Sequence, residues 1–165
     1  MSQSTDAAGH LAALEEFYQG EILGEAMFDA MLKSARTEVE RYKIALMLQL
    51  ETETKARLRP HLAAQGLPLQ EDPQMRPRGE QAARELERST WSEKMSALAQ
   101  SLSQIWLPRY RELTATLPAP LRAVGESMVA HERALLEMAQ REIAGDSQRS
   151  DEPVRVLLVH PLPRP

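Results

Sequence analysis

Apolar residues recur at three- and four-residue intervals along four long segments of this chain, and ionisable side chains interrupt the resulting stripes at their centres. A period near 3.6 belongs to helices packed against one another, whereas strands alternate every second residue. The pattern therefore commits most of the chain to an all-α bundle. Glu21, Glu25, Glu51 and His131 each lie within about 20° of a stripe centre, at about 100° of rotation per residue. Leu or Met is expected at such positions. A carboxylate is expensive to bury unless a cation, a proton or a hydrogen-bonding partner compensates it. Three inward carboxylates and an inward imidazole in one bundle suggest a metal–carboxylate site.

The first helix is expected from about Gly9 to Ala35, capped in the Ser4 to Asp6 region or at Gly9, with the stripe Leu11, Leu14, Phe17, Tyr18, Glu21, Glu25, Phe28 and Leu32. Gly20 and Gly24 either admit a close neighbour or are merely tolerated. A second helix from Thr37 to Arg59 carries Arg41, Ile44, Met47, Leu48, Glu51, Lys55 and Leu58, and Pro60 is expected to stop it. The two form an antiparallel hairpin in which Glu21 and Glu51 are equidistant from the turn and should face each other.

Residues 60–80 hold four prolines and two glycines, which reads as a long crossover with one short helical turn around His61 to Gln65. A third helix is expected from Gly79 to Trp106, with the stripe Trp91, Met95, Leu98, Leu102 and Ile105, and a kink or break at Pro108. A fourth runs from Pro120 to Ala144 on Leu121, Val124, Met128, His131, Leu135 and Met138, with Gly145 as its C-cap. A crossover long enough to span the bundle gives an up-down-down-up order. In that order His131 reaches the level of Glu21 and Glu51. The domain reading is a flexible N-terminus over 1–8, a four-helix bundle over 9–145 and a Pro-rich extended tail over 146–165. Within the tail, Val154 to His160 reads as a short β-prone run, too apolar to lie free in water. It either packs back on the bundle or adds to a partner chain.

Aromatic residues make up only 4% of the 165 positions, so the core must be built from Ala, Leu, Met, Ile and Val. With no Cys, thiolate metal sites, disulfides and a Cys nucleophile are excluded, and any metal must sit on carboxylate and imidazole, the ligands of iron, manganese or zinc. The net charge of −4 is spread along the chain without a basic stripe, which argues against nucleic-acid binding. The first residues have no basic and apolar leader pattern, and no apolar run approaches a membrane span. A cytoplasmic protein free of the membrane, and a homodimer, are expected. No Ser–His–acid arrangement, phosphate-cradling glycine loop or basic recognition helix is visible.

The segment YQGEILGEAMFDAML, Tyr18 to Leu32, resembles the first helix of ferritin-like, rubrerythrin-type proteins, in which a Glu in a G-E context supplies an iron ligand. Glu21 matches that ligand, and Glu51 matches the Glu of the second-helix E-x-x-H motif. The resemblance implies a ferritin-like bundle over most of residues 9–145, with iron or manganese as cofactor and an iron-dependent oxidoreductase or iron-handling role. It makes Glu21 and Glu51 terminal or bridging carboxylates, His131 the imidazole ligand and Glu25 a nearby carboxylate or base. The chain departs from the pattern at Thr54, where the motif has His, and at Met128, where the fourth helix has Glu. Spacing would offer Glu93 and Glu126 as the missing ligands, but the helical wheel turns both outward and favours Glu87 on the third helix.

Simpler assignments stand beside these. Glu51 and Lys55 can form an i, i+4 pair, Glu21 and Glu25 can pair with Arg41, Lys43 or Lys33, and His131 can be a hydrogen-bonded core histidine. A metal-free bundle serving as an interaction or assembly module, and a bundle binding a small molecule on Glu21, Glu51 and His131, are the alternative functions.

Overall fold

A computed structural model describes residues 2–165, with side chains from residue 9 onward, so the side chains of the expected flexible leader lie outside the described residues. Helix α1 spans Ser2–Leu32 and α2 spans Glu38–Ala64. Thr37 caps α2 by accepting a hydrogen bond from the Glu40 backbone N–H at 3.1 Å, while the Glu40 carboxylate accepts from the Arg36 N–H at 2.8 Å. Pro60 does not stop this helix. Both Pro60 and Ala56, whose carbonyl loses its helical donor, face water, and buried Leu58 and Leu62 anchor the last turn. The helix ends instead on Gly66 at φ 71°, with Leu67 N–H donating to Leu62 C=O and Gly66 N–H to Ala63 C=O. That is a Schellman closure, for which Gly tolerates the left-handed backbone.

The crossover contains a helix of its own, α3, Met75–Glu85. It lies on α1, with Gly79 against the backbone of Leu23 and Met27, a position from which any side chain is sterically excluded. The expected continuous third helix breaks at residues 86–90. It restarts as α4, Trp91–Ser101, because Thr90 and Glu93 form a capping box: each accepts a hydrogen bond from the other's backbone N–H. A π-helical turn, Leu102–Trp106, then joins α4 to α5, Leu107–Thr116. The wider turn absorbs Pro108 without a break and adds one residue to the local repeat. Ile105, expected on the core stripe, is thereby turned out to 59% exposure, while Leu107 and Tyr110 take the inward face.

Helix α6, Ala119–Ile143, closes in a second Schellman turn on Gly145, at φ 84°, with Asp146 N–H donating to Arg141 C=O. The tail is not an extended strand. It forms a short helix, α7, Glu152–Arg155, and packs back on the bundle with Val154 and Leu158 buried. A seven-residue, largely apolar run carries too little periodicity to separate strand from helical turn. The tail is held by Asp151, which accepts from the Tyr42 hydroxyl at 2.7 Å and from the Arg164 guanidinium at 2.8 and 2.9 Å.

Among the described residues the fold is all-helical, with no strand. Its core has two parts. One gathers Leu14, Phe17 and Ile22 of α1 with Leu58 and Leu62 of α2, Tyr110 and Leu113 of α5, and Leu121, Val124 and Met128 of α6. The other gathers Phe28 and Met31 with Ile44, Met47 and Leu50, Met95 and Leu98 of α4, and Leu135 and Met138. Between them lies a polar level. No described helix is long and apolar enough to cross a membrane.

Candidate functional site

The polar level is built from one or two residues of each long helix. Glu21 comes from α1, Glu51 and Thr54 from α2, Tyr110 from α5, and His131 and Glu132 from α6, and all are at least 94% buried. Glu21 and Glu51 face each other within hydrogen-bonding reach, as their equal distance from the α1–α2 turn requires. His131 Nε2 lies 3.3 Å from Glu51 Oε1, and its Nδ1 lies 3.0 Å from Thr54 Oγ1 and 3.6 Å from Glu21 Oε2. Thr54, where the E-x-x-H pattern has a ligand, thus holds a ring nitrogen of the histidine across the bundle.

Two glycines make room for the group. A Cβ at Gly24 would lie 2.5 Å from the Glu51 carboxylate carbon, and one at Gly20 would overlap the Tyr110 hydroxyl. The close neighbours that these glycines admit are therefore the polar side chains themselves.

Glu25 stands apart from this group. Its carboxylate is paired with Lys55 and with Arg76 of α3, at 3.1 Å, and accepts from the Thr52 hydroxyl at 2.8 Å. Burial alone would raise its pKa, but the Lys55 and Thr52 hydrogen bonds hold it below the usual carboxylate range. Lys55 is accordingly engaged with Glu25 and not with Glu51. Lys43 pairs with Glu142 and donates to Ser147 C=O at 2.8 Å, and Lys33 lies beside Asp29. Glu87, Glu93 and Glu126 are exposed.

Glu132 joins the cluster where the sequence stripe had only His131. The buried face of α6 includes Val124, Gly125, Met128, His131, Glu132, Leu135, Met138 and Ala139. That is the wide a/d/e stripe of a bundle helix, and a count of three residues per two turns would have found it. Tyr110 was hidden for a different reason, since the π turn shifts its phase.

Electrostatically the cluster favours protons. Burial pushes the Glu21 carboxyl well above its ordinary value, and Glu51 and Glu132 beside it push the same way. Burial also raises Glu132 to about 8, although His131 opposes it. For His131 burial favours the neutral ring, but the charge and hydrogen bond of Glu51 outweigh it and raise the pKa. Burial, then Glu21, Glu132 and Glu51, raise the Tyr110 phenol well above its normal range.

Glu21 Oε2 and Glu132 Oε2 are buried with no hydrogen-bond partner. Glu21, His131 and Glu132 each offer a donor atom, all within 4.8 Å of one another. Donors bound about 2.1 Å from one first-row ion lie up to about 4.2 Å apart, so a set spread over as much as 4.8 Å would tighten slightly around a single divalent cation, to which its oxygen and nitrogen donors are suited. Two cavities flank it. One of about 250 Å³ reaches Glu51 and Glu132 from between α1, α3 and α4, and another of about 590 Å³ reaches Thr54 and His131 from between α2 and α6. No family model, curated protein or solved structure matches this chain.

Proposed function

We propose that this chain is a ferritin-like, up-down-down-up bundle whose interior holds a reduced carboxylate–histidine metal centre for iron or manganese. The helix order draws support from the two cores, which set the N-terminal half of α1 against the C-terminal halves of α2 and the α4–α5 rod, and beside the start of α6.

The observation that carries the metal reading is the pair of orphaned oxygens, Glu21 Oε2 and Glu132 Oε2. A buried acceptor without a donor costs about 1–3 kcal/mol, and two such acceptors on residues of one cluster are accounted for together by a cation. Glu21, Glu132 and His131 would hold the ion, and Glu51 would complete or support the set. Thr54 orients the imidazole, the task that an outer hydrogen-bond partner performs at histidine metal sites. Iron or manganese bound there supplies one-electron chemistry toward dioxygen or peroxide. The chain's own share is to fix the donors, exclude bulk water and keep Tyr110, as a neutral phenol, beside them.

Metal analysis of protein purified without chelator, with iron or manganese in the growth medium, tests this. The expected result is close to one ion per chain, lost in Glu21→Gln and in Glu132→Gln while the helical circular dichroism is kept. Metal-free protein that takes up neither ion on anaerobic titration overturns the reading in favour of a hydrogen-bonded core cluster.

A further inference from the structure

The cavity between α1, α3 and α4 holds a second unbalanced charge. Lys94, in the first turn of α4, is 1% exposed, and its ammonium makes no hydrogen bond or ion pair with any described side chain. It lines the same cavity as Glu51 and Glu132 without reaching either carboxylate. The remaining walls are mostly apolar, among them Leu23, Met27, Phe28, Leu98 and Leu135, with Glu85, Ser101 and Tyr110 as further polar members. A lysine side chain buried to this degree ordinarily ends on acceptors, and the other buried lysine, Lys43, is given a carboxylate, a carbonyl and a hydroxyl. Lys94 has room beside it where Lys43 has partners.

We propose that this cavity binds a small monocarboxylate with an apolar body, its carboxylate on Lys94 Nζ and its body along the apolar walls toward the Glu51–Glu132 end. One unpaired positive charge takes one negative charge. A volume of about 250 Å³, against the roughly 150 Å³ that accommodates benzene, fits a substituted aromatic acid or a short aliphatic one. A mostly apolar lining with a few polar groups is the usual form of a small-molecule site, and Lys94 is the cationic side chain among the residues lining this one. That such a ligand is a substrate, presenting carbon to the centre at the far end, rests on the metal reading above. Binding of the anion does not.

Isothermal titration of the full-length protein with sodium octanoate, sodium benzoate and neutral 1-octanol tests the proposal, on chelator-treated and on iron-loaded samples. At least one of the two acids is expected to bind at one per chain, and octanol more weakly. Lys94→Met, which keeps the length and apolar stem of the side chain, should weaken the acid by about tenfold or more and leave octanol unchanged. The ranking of octanoate against benzoate tells whether the body is a chain or a ring. Thermal melting of the variant without ligand controls for folding, and removing an unpaired buried charge should raise its midpoint or leave it unchanged. Equal binding of acid and alcohol, equal binding to wild type and Lys94→Met, or no binding of either acid to folded protein overturns the proposal. Because Lys94 lies outside the metal cluster, acid binding in chelator-treated protein stands even if the metal is absent, and metal uptake without acid binding leaves the centre standing alone.

Discussion

At the scale of single residues, Glu132 carries opposite consequences with and without a cation. Its folded pKa is raised from 4.5 to about 8, so metal-free folded protein keeps a proton that the unfolded chain releases. Stability contributed by this group is therefore greatest below pH 4.5 and declines as pH rises toward 8. Glu132→Gln, which mimics the protonated acid, should stabilise chelator-treated protein by about 1–3 kcal/mol at pH 7. The same change should lower the stability gained on adding metal, and denaturant titration with and without iron reads both signs. Gly24 gives a steric counterpart. Gly24→Ala puts a methyl group 2.5 Å from the Glu51 carboxylate carbon, whereas Gly9, also in α1, has nothing within 4 Å. Gly9→Ala should stabilise by about 0.5–1 kcal/mol through helix propensity. Gly24→Ala should instead destabilise by about 1–3 kcal/mol and displace Glu51 from His131. Equal effects of the two changes would show that the Glu51 position is soft.

At the scale of elements, the tail acts as a latch held by apolar and charged contacts together. Val154 is fully buried while Val156 is 79% exposed, so Val154→Ala should cost about 1–3 kcal/mol and Val156→Ala almost nothing, as chemical denaturation will read. Asp151 adds a pH dependence. Burial raises its pKa, but hydrogen bonds from Arg164 and Tyr42 outweigh that and hold it below its ordinary value of 3.8. A depressed acid contributes stability above its unfolded pKa and loses it as pH falls through the folded value. The gap in melting temperature between wild type and Asp151→Asn should therefore stay constant above about pH 5 and close below pH 4. The elements also divide by how well a sequence exposes them. The stripes of α1, α2 and α6 repeat over enough turns to be unmistakable, and Gly145 marks its helix end plainly. The Thr90–Glu93 box, which makes the third helix start afresh, has a T-x-x-E signature that the reading of one continuous helix passed over. The π turn was not, because one residue added to a helical repeat has no compositional mark and displays itself only in where Ile105 points.

At the scale of the whole molecule, the four long helical rods each bring polar groups to one level between two apolar cores, and facing alone made half of that level readable. Glu21 and Glu51 follow from the α1–α2 turn, and His131 from the centre of its stripe. Glu132 does not, since it sits at the margin of a stripe where a charged residue is ordinarily solvated, and only the closeness of neighbouring helices buries it; the same holds for Lys94 in the adjoining cavity. The assembled level then has a property that no single residue has. Without metal, Glu21, Glu132 and His131 all favour their protonated forms. Ligands must shed their protons to coordinate, so the centre can take a divalent cation only by releasing protons. Anaerobic titration with Fe(II) or Mn(II) at pH 7, repeated in buffers of different ionisation enthalpy, should register release of up to about three protons per ion, one from each of the three groups, and about one fewer as pH passes 8. Affinity should rise with pH over the same interval, and Glu132→Gln should weaken binding and remove about one proton from the count. Uptake without proton release would mean that the carboxylates are already ionised in the metal-free bundle, and that a cationic partner other than the added ion balances them.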